Sequence, residues 1–113
     1  MKKLLLVLPI TLTGCATTLN VLGDRRTAAA CQVADGATTY YALTHGAVES
    51  NSILAGLGAP GILAFKLIMA FVIYKLLPPP DKATKGDKVL TAGVTLFGCV
   101  PAVNNIRVIG QLK

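Results

Sequence analysis

The sequence predicts an all-α fold, a small membrane bundle of two or three transmembrane helices that follows an N-terminal signal peptide. Of its 113 residues, 53% are hydrophobic and 14% are charged, and the mean hydropathy is +0.63. Soluble domains carry roughly 25% charged residues, and a domain this small has a large surface to cover with polar groups. The chain is therefore one domain of the membrane class.

Charge points to lipid rather than nucleic acid as the partner of the basic residues. The formal charge is +6, from eleven Lys and Arg against five Asp and Glu, and only 5% of residues are aromatic. The basic residues flank apolar runs, and the few aromatic residues form no stacking platform for single strands. We expect no nucleic-acid partner, and we expect contact with anionic lipid headgroups.

The N-terminus has the order of a secretory signal. Residues 1–14 contain two lysines, an apolar run and then small residues. The sequence Leu12-Thr13-Gly14-Cys15 resembles the lipobox of bacterial lipoproteins. This resemblance implies cleavage before Cys15 and a covalent lipid, with fatty acids such as palmitate, on that cysteine. Residues 15–27 would then be a lipidated tether, whereas an uncleaved anchor would leave Cys15 an ordinary small residue.

Residues 28–113 form the predicted helical membrane domain. Its second segment is the clearest, because it is long enough to cross a bilayer, has a single charge, Lys66, well inside it, and ends at three consecutive prolines. Residues 78–88, PPPDKATKGDK, are a solvated turn before the last segment. The predicted helices span about 28–48, 53–77 and 89–109.

The first helix carries a polar stripe. Asp35, Thr38, His45 and Glu49 recur at helical spacing on one face, and Thr39 adjoins them. An Asp in hydrocarbon costs roughly 2.5–3.5 kcal/mol, so we expect the stripe to face the other helices. The full predicted intramembrane polar cluster is Asp35, Thr38, Thr39, His45, Glu49, Asn51, Lys66, Asn104 and Asn105.

This cluster has two interpretations. Intramembrane ionisable residues are functional by default, which favours a proton relay or a ligand site. Alternatively, Lys66 forms a buried ion pair with Asp35 or Glu49 that fixes helix packing, while the asparagines hydrogen-bond across helices. We prefer the structural interpretation.

The same residues resemble an uncharacterised family of small bacterial membrane proteins with three helices. This chain departs from that family by carrying Ser52 where a proline usually stands and by its lipoprotein-like front. The resemblance implies the architecture alone, because the activity of the family is unknown. The positions that carry it are Asp35, Thr38, Thr39, Gly46, Glu49, Asn51, Lys66, Asn104 and Asn105.

Other chemistries are not predicted. His45 and Glu49 are four residues apart, but the chain has no second His, so we expect no metal site. The Gly-x-Gly-x-x-Gly run at 56–61 follows no strand, which argues against a dinucleotide loop. No nucleophile motif occurs, so we expect no enzyme and no cofactor beyond the lipid at Cys15. Cys31 and Cys99 can pair in an oxidising compartment, but we expect two small unpaired residues.

The sequence thus predicts a lipid-anchored helical protein of the bacterial envelope, in the inner membrane rather than the outer, with a structural or interaction role. Its partners would be membrane lipids and either further copies or partner helices. The alternatives are a small oligomeric pore, lined by the polar stripe, and a subunit of a membrane enzyme. Lipidation with three crossings would place the lysine-rich turn outside, against the positive-inside rule; either the first helix does not cross, or the lipobox is not processed.

Overall fold

The computed structural model describes residues 18–112, and these residues are helical without strands. The elements are α1 (Arg25–Thr44), the short α2 (Ser52–Ala55), α3 (Gly58–Leu76) and α4 (Lys85–Gln111), and residues 18–22 are helical as well. The all-helical prediction is therefore confirmed for this part of the chain. The predicted signal peptide and Cys15 lie outside the described residues.

Helix α1 begins and ends earlier than the predicted 28–48. Asp24 is its N-cap, because the backbone N–H of Arg26 donates to Asp24 Oδ1 at 2.8 Å. The helix therefore begins within the stretch assigned to the tether. It ends at Thr44, two residues before Gly46, whose φ of 105° takes the chain out of the helix.

The predicted helix 53–77 is divided into α2 and α3. Asn51 caps α2, since its Oδ1 accepts from the backbone N–H of Ile53 at 3.0 Å. Gly58 then has a φ of 71°, which breaks the helical path. Pro60 lies in the first turn of α3, where its missing N–H leaves no helical bond unmade, so it does not bend a longer helix.

Helix α4 begins four residues before the predicted 89, at a capping box. The backbone N–H of Asp87 donates to Thr84 Oγ1 at 3.1 Å, and the backbone N–H of Thr84 donates to Asp87 Oδ2 at 2.9 Å. Thr84 is thus the cap, and Asp87 is its partner in the first turn. The helix continues through Pro101 to Gln111.

Helix α1 lies between α3 and α4. It packs against both, whereas no Cα atom of α3 lies within 8 Å of one in α4. The Arg25 guanidinium donates to the carbonyl of Tyr74 at 3.1 Å, so the start of α1 meets the end of α3 and these two helices are antiparallel. The three helices form an open layer with the most polar helix in the middle.

Two glycines set how closely the helices approach. A Cβ at Gly36 would lie 2.7 Å from the Cβ of Lys66 in α3. A Cβ at Gly98 would lie 3.1 Å from the backbone of Cys31 and of Gln32 in α1. Each of these two helix–helix contacts therefore depends on a residue without a side chain, and small residues of this kind are common where membrane helices pack closely.

A disulfide between Cys31 and Cys99 joins α1 to α4, with the Cα atoms 4.8 Å apart. The expectation that both cysteines are unpaired is therefore wrong. The close approach at Gly98, next to Cys99, brings the two backbones within the Cα separation that a disulfide requires.

Helices α3 and α4 are long and apolar enough to cross a membrane, yet most of their surface is exposed. Only 11% of the apolar window in α3 and 22% of that in α4 are buried. A core helix of a soluble protein would be mostly buried. Their large exposed side chains include Leu67, Ile68, Phe71, Val72, Leu76, Val89, Leu90, Leu96, Phe97, Val100, Val103 and Ile106.

Candidate functional site

An ion pair lies at the centre of the layer. Lys66 Nζ is 2.8 Å from Asp35 Oδ2, and the two side chains are 13% and 5% exposed. The absence of a side chain at Gly36 lets the stem of Lys66 pack directly on α1. Lys66 is eight residues from the start of α3 and ten from its end, so the pair lies near the middle of that helix.

Asn105 of α4 hydrogen-bonds to the carboxylate of Asp35. Its Nδ2 group lies 3.0 Å from Asp35 Oδ1, 2.8 Å from Thr39 Oγ1 and 3.0 Å from Thr38 Oγ1, and its two N–H groups serve these acceptors. The hydroxyl of Thr39 also donates to Asp35 Oδ1 at 3.3 Å. The Asp35 carboxylate is thus bonded to α3 through one oxygen and to α4 through the other. These five residues are hereafter the polar centre: Asp35, Thr38, Thr39, Lys66 and Asn105.

Four residues of the predicted cluster lie outside the polar centre. His45 is exposed at the end of α1, where its ring stacks on Tyr41 with centroids 3.9 Å apart. Glu49 accepts a hydrogen bond from the backbone N–H of Asn51 at 2.9 Å, and Asn51 caps α2. Asn104 is exposed on α4. The predicted polar stripe is wrong beyond Thr44. Helix α1 ends there, so no helix places His45 and Glu49 on the same face as Asp35.

A groove of about 650 Å³ opens between α3 and α4, and α1 forms its floor. The floor carries Asp35, Thr39, Lys66 and Asn105, and the polar segment 49–51 borders the groove. Its size and its mixture of apolar walls with a few polar groups are typical of ligand clefts. The apolar side chains that line it are Leu54, Ile62, Leu96, Phe97, Val100 and Pro101.

Sequence reasoning missed the polar side chains that α1 and α4 bury against each other. Thr95 is fully buried, and its hydroxyl lies 2.6 Å from the carbonyl of Leu22 and 2.9 Å from that of Thr91. Gln32 is 2% exposed and faces Gly98. A signal was present, because the buried residues of α4 recur at helical spacing and are all small: Thr91, Thr95, Gly98 and Ala102.

Arg25 was also missed as a structural residue. Its guanidinium lies 4.2 Å from the ring centroid of Tyr74 and donates to the carbonyls of Tyr74 at 3.1 Å and Leu77 at 3.4 Å. A cation at the end of α3 satisfies carbonyl groups that have no helical partner and complements the helix dipole. Arg25 thus holds the start of α1 against the end of α3.

The chemistry that this arrangement supports is helix association. Both oxygens of Asp35 are occupied by groups from neighbouring helices. Within residues 18–112, no three His, Cys, Asp or Glu side chains are grouped so that they could hold a metal ion.

Comparison of the chain with models of protein families, with curated proteins and with solved structures finds no match. The interpretation of the site therefore depends on its geometry.

Proposed function

We propose that the protein is a lipid-anchored helical membrane protein of the bacterial envelope with a structural or interaction role and without catalytic activity. The observation that carries this proposal is the bonding of Asp35, whose carboxylate joins α3 through Lys66 and α4 through Asn105. A group fixed on both oxygens is suited to holding helices together, and breaking such a buried pair is strongly destabilising.

Exposed apolar surface supports residence in a membrane. Monomeric soluble proteins seldom expose contiguous apolar patches beyond a few hundred Å², whereas α3 and α4 expose large aliphatic and aromatic side chains along their length. The Asp35 carboxylate of α1, by contrast, faces the two neighbouring helices. A protein surrounded by lipid hydrocarbon is most stable when its apolar groups lie on the outside and its polar groups lie inside.

Helix α1 fits a third crossing better than a re-entrant or interfacial segment. Its 20 residues extend about 30 Å, which matches the hydrocarbon thickness of a bilayer. It meets the end of α3 at Arg25 and the middle of α3 at Gly36, so the two helices run side by side over at least about 16 Å. We therefore propose three crossings.

The orientation follows from the lipobox and the disulfide together. The tether leads to the start of α1, which lies at the same end as Lys75 and the lysine-rich turn. A lipid on Cys15 places that end outside the inner membrane, and disulfides such as Cys31–Cys99 form in oxidising compartments. The positive-inside rule opposes this orientation, but it is a statistical bias that other signals override. We propose that the cationic end is periplasmic.

Labelling with radioactive palmitate tests the anchor. We expect label in the wild-type chain, none in Cys15→Ser, and accumulation of the precursor when lipoprotein signal peptidase is inhibited. Membranes washed with alkaline carbonate test the crossings in a chain whose residues 1–15 are replaced by a cleavable secretory signal. Neither a lipid nor an uncleaved signal then anchors the chain, and we expect its helices alone to keep it in the pellet. Absence of label would refute the anchor, and release of this chain by carbonate would refute the spanning bundle.

The pore alternative gains no support from the site. It requires Asp35, Thr38, His45 and Glu49 along one water-filled path. Asp35 is paired with Lys66, and His45 stacks on Tyr41 at the exposed end of α1. We therefore favour the structural role.

Membership of the three-helix family stays a prediction. Three residues that carry the resemblance, Asp35, Lys66 and Asn105, are the ones that join the three helices here. A shared need to hold three helices together would explain why these residue types recur at these places.

A further inference from the structure

Asn104 is an amide in the middle of the proposed membrane span that has no hydrogen-bond partner among residues 18–112. It is exposed, it lines the groove, and its side chain makes no hydrogen bond with residues 18–112. The adjacent Asn105 reaches the Asp35 carboxylate near the middle of α3, which fixes the depth of Asn104. Since an amide in hydrocarbon without a hydrogen bond is costly, this side chain requires a partner from outside residues 18–112.

The residues around Asn104 form a heptad pattern. Gly93, Phe97, Val100 and Asn104 follow one another at intervals of four, three and four residues, and all four line the groove. Phe97 is 75% exposed and Val100 is 61% exposed, so this face of α4 has no covering element within the described chain. A repeat of this spacing is the seam of a helix pair, and a single Asn in such a seam sets register and partner number. We call this face the α4 seam.

A second copy of the chain is the partner that suits this seam. An Asn side chain has both donors and acceptors and is therefore its own complement. Two copies in one membrane share an orientation, so their α4 helices are parallel and equivalent positions of the heptad meet. We infer that the protein is a homodimer in which the α4 seams pack together and the Asn104 side chains hydrogen-bond to each other. This inference rests on the proposed membrane residence.

The dimer also covers the polar floor of the groove. Of the three N–H donors on Lys66, one is directed to Asp35, and the side chain remains 13% exposed toward the groove. Because the α4 seam lines that groove, a helix seated on the seam shields the floor from lipid. Gly93, with no atom within 4 Å of the position of a Cβ, leaves room for its close approach.

Oxidative cross-linking in native membranes tests the contact with a matched pair of variants. Val100 and Ile106 are 61% and 60% exposed on α4, but only Val100 lines the groove. We expect Val100→Cys to give a covalent dimer of twice the chain mass, while Ile106→Cys stays at the level of the wild-type chain. Equal cross-linking of both variants, or a product of any other mass, would overturn the homodimer.

Substitution of Asn104 tests the hydrogen bond. We expect Asn104→Val to weaken dimerisation, measured by energy transfer between labelled chains in vesicles, by roughly 3- to 30-fold, the range that interhelical hydrogen bonds span. Asn104→Gln keeps donor and acceptor and should keep most of the affinity. Dimerisation of Asn104→Val at wild-type strength would overturn the role of the amide.

Two controls separate the possible failures. An intact Cys31–Cys99 disulfide, seen as faster migration without reductant, shows that a variant is folded. Resistance to carbonate extraction, measured on chains whose residues 1–15 are replaced by a cleavable secretory signal without a lipobox, shows that the helices span the membrane, so a resistant chain that does not cross-link refutes the dimer alone. Release by carbonate refutes the membrane proposal and the dimer with it.

Discussion

Replacement of Lys66 by Met is the most direct test of the polar centre. Met has nearly the same length and shape as the stem of Lys66, so packing against Gly36 is kept while the ammonium group is lost. Asp35 then remains 5% exposed with a negative charge and no cation. The amide of Asn105 and the hydroxyl of Thr39 still donate to one oxygen, but Oδ2 loses its partner.

The expected cost is about 3 kcal/mol. Removal of one partner from a buried ion pair costs roughly 3–5 kcal/mol in soluble proteins, and an Asp near the centre of a bilayer costs about 2.5–3.5 kcal/mol on insertion scales. The two ranges overlap at about 3 kcal/mol, a factor of more than 100 in the folding equilibrium. A small domain has a total stability of only about 5–15 kcal/mol, so such a loss should be large in any assay.

Unfolding of the purified protein in mixed micelles, with SDS as denaturant, measures this change. We expect Lys66→Met to lower the free energy of unfolding by about 3 kcal/mol and Asp35→Asn added to it to restore most of the loss. Asparagine keeps the oxygen that accepts from Asn105 and removes the uncompensated charge. Glu49→Gln added instead should restore nothing, because Glu49 bonds only to the backbone of Asn51 within the described residues.

Lys75→Met is the matched control on the same helix. Lys75 is exposed near the end of α3, and surface substitutions usually change stability by less than about 0.5 kcal/mol. The reasoning is refuted if Lys66→Met is as stable as the Lys75→Met control. It is also refuted if Glu49→Gln rescues the variant as well as Asp35→Asn does.

Three further predictions concern a glycine contact, the disulfide and the N-cap of α1. Gly36→Ala places a Cβ 2.7 Å from that of Lys66 and should cost about 1–3 kcal/mol in SDS unfolding, whereas Gly110→Ala, with open space around it, should be neutral. Replacing both Cys31 and Cys99 by Ser should cost about 2–4 kcal/mol and abolish the mobility shift on reduction. The guanidinium of Arg26 hydrogen-bonds to the Asp24 carboxylate and holds the pKa of Asp24 below its ordinary value of 3.8. The stabilisation that this lowered pKa provides is present at pH above the ordinary value and is lost as the pH falls through the lowered pKa. Asp24→Asn keeps a capping oxygen but does not titrate, so acid unfolding curves of this variant should not show that loss of stability.

The sequence allowed the helical segments to be predicted but not their ends. Hydropathy located α3 and α4 because each needs a long apolar surface. The break between α2 and α3 depends on the positive φ of Gly58, and apolar residues on both sides hide such a turn from hydropathy. The early start of α4 depends on two reciprocal hydrogen bonds between Thr84 and Asp87, which lie in the stretch 78–88 that was predicted as a solvated turn.

The polar centre was predictable in its residue types and only partly in its geometry. Helical spacing placed Asp35, Thr38 and Thr39 on one face, and the rarity of charge in apolar helices singled out Lys66. The same spacing, continued past Thr44, wrongly aligned His45 and Glu49 with them, because periodicity cannot show where a helix ends. The disulfide could not be predicted from the sequence for a different reason. Its two cysteines are 68 residues apart, and their contact can be inferred only once the pairing of the helices and the glycine where they cross are known.

In the membrane bundle proposed above, hydropathy alone overlooks the central helix, α1. It is not among the two helices that are apolar enough to cross a membrane by composition, yet it is the helix that both others pack against. In a membrane, apolar surface gains little from packing on another apolar helix, because lipid offers the same surroundings. Hydrogen bonds, ion pairs and close backbone approach must then hold the helices together, and α1 supplies Asp35, Thr39, Gly36 and Cys31 for these purposes. The helix that is least suited to face lipid therefore lies at the centre, where the Asp35 carboxylate is bonded to both neighbouring helices.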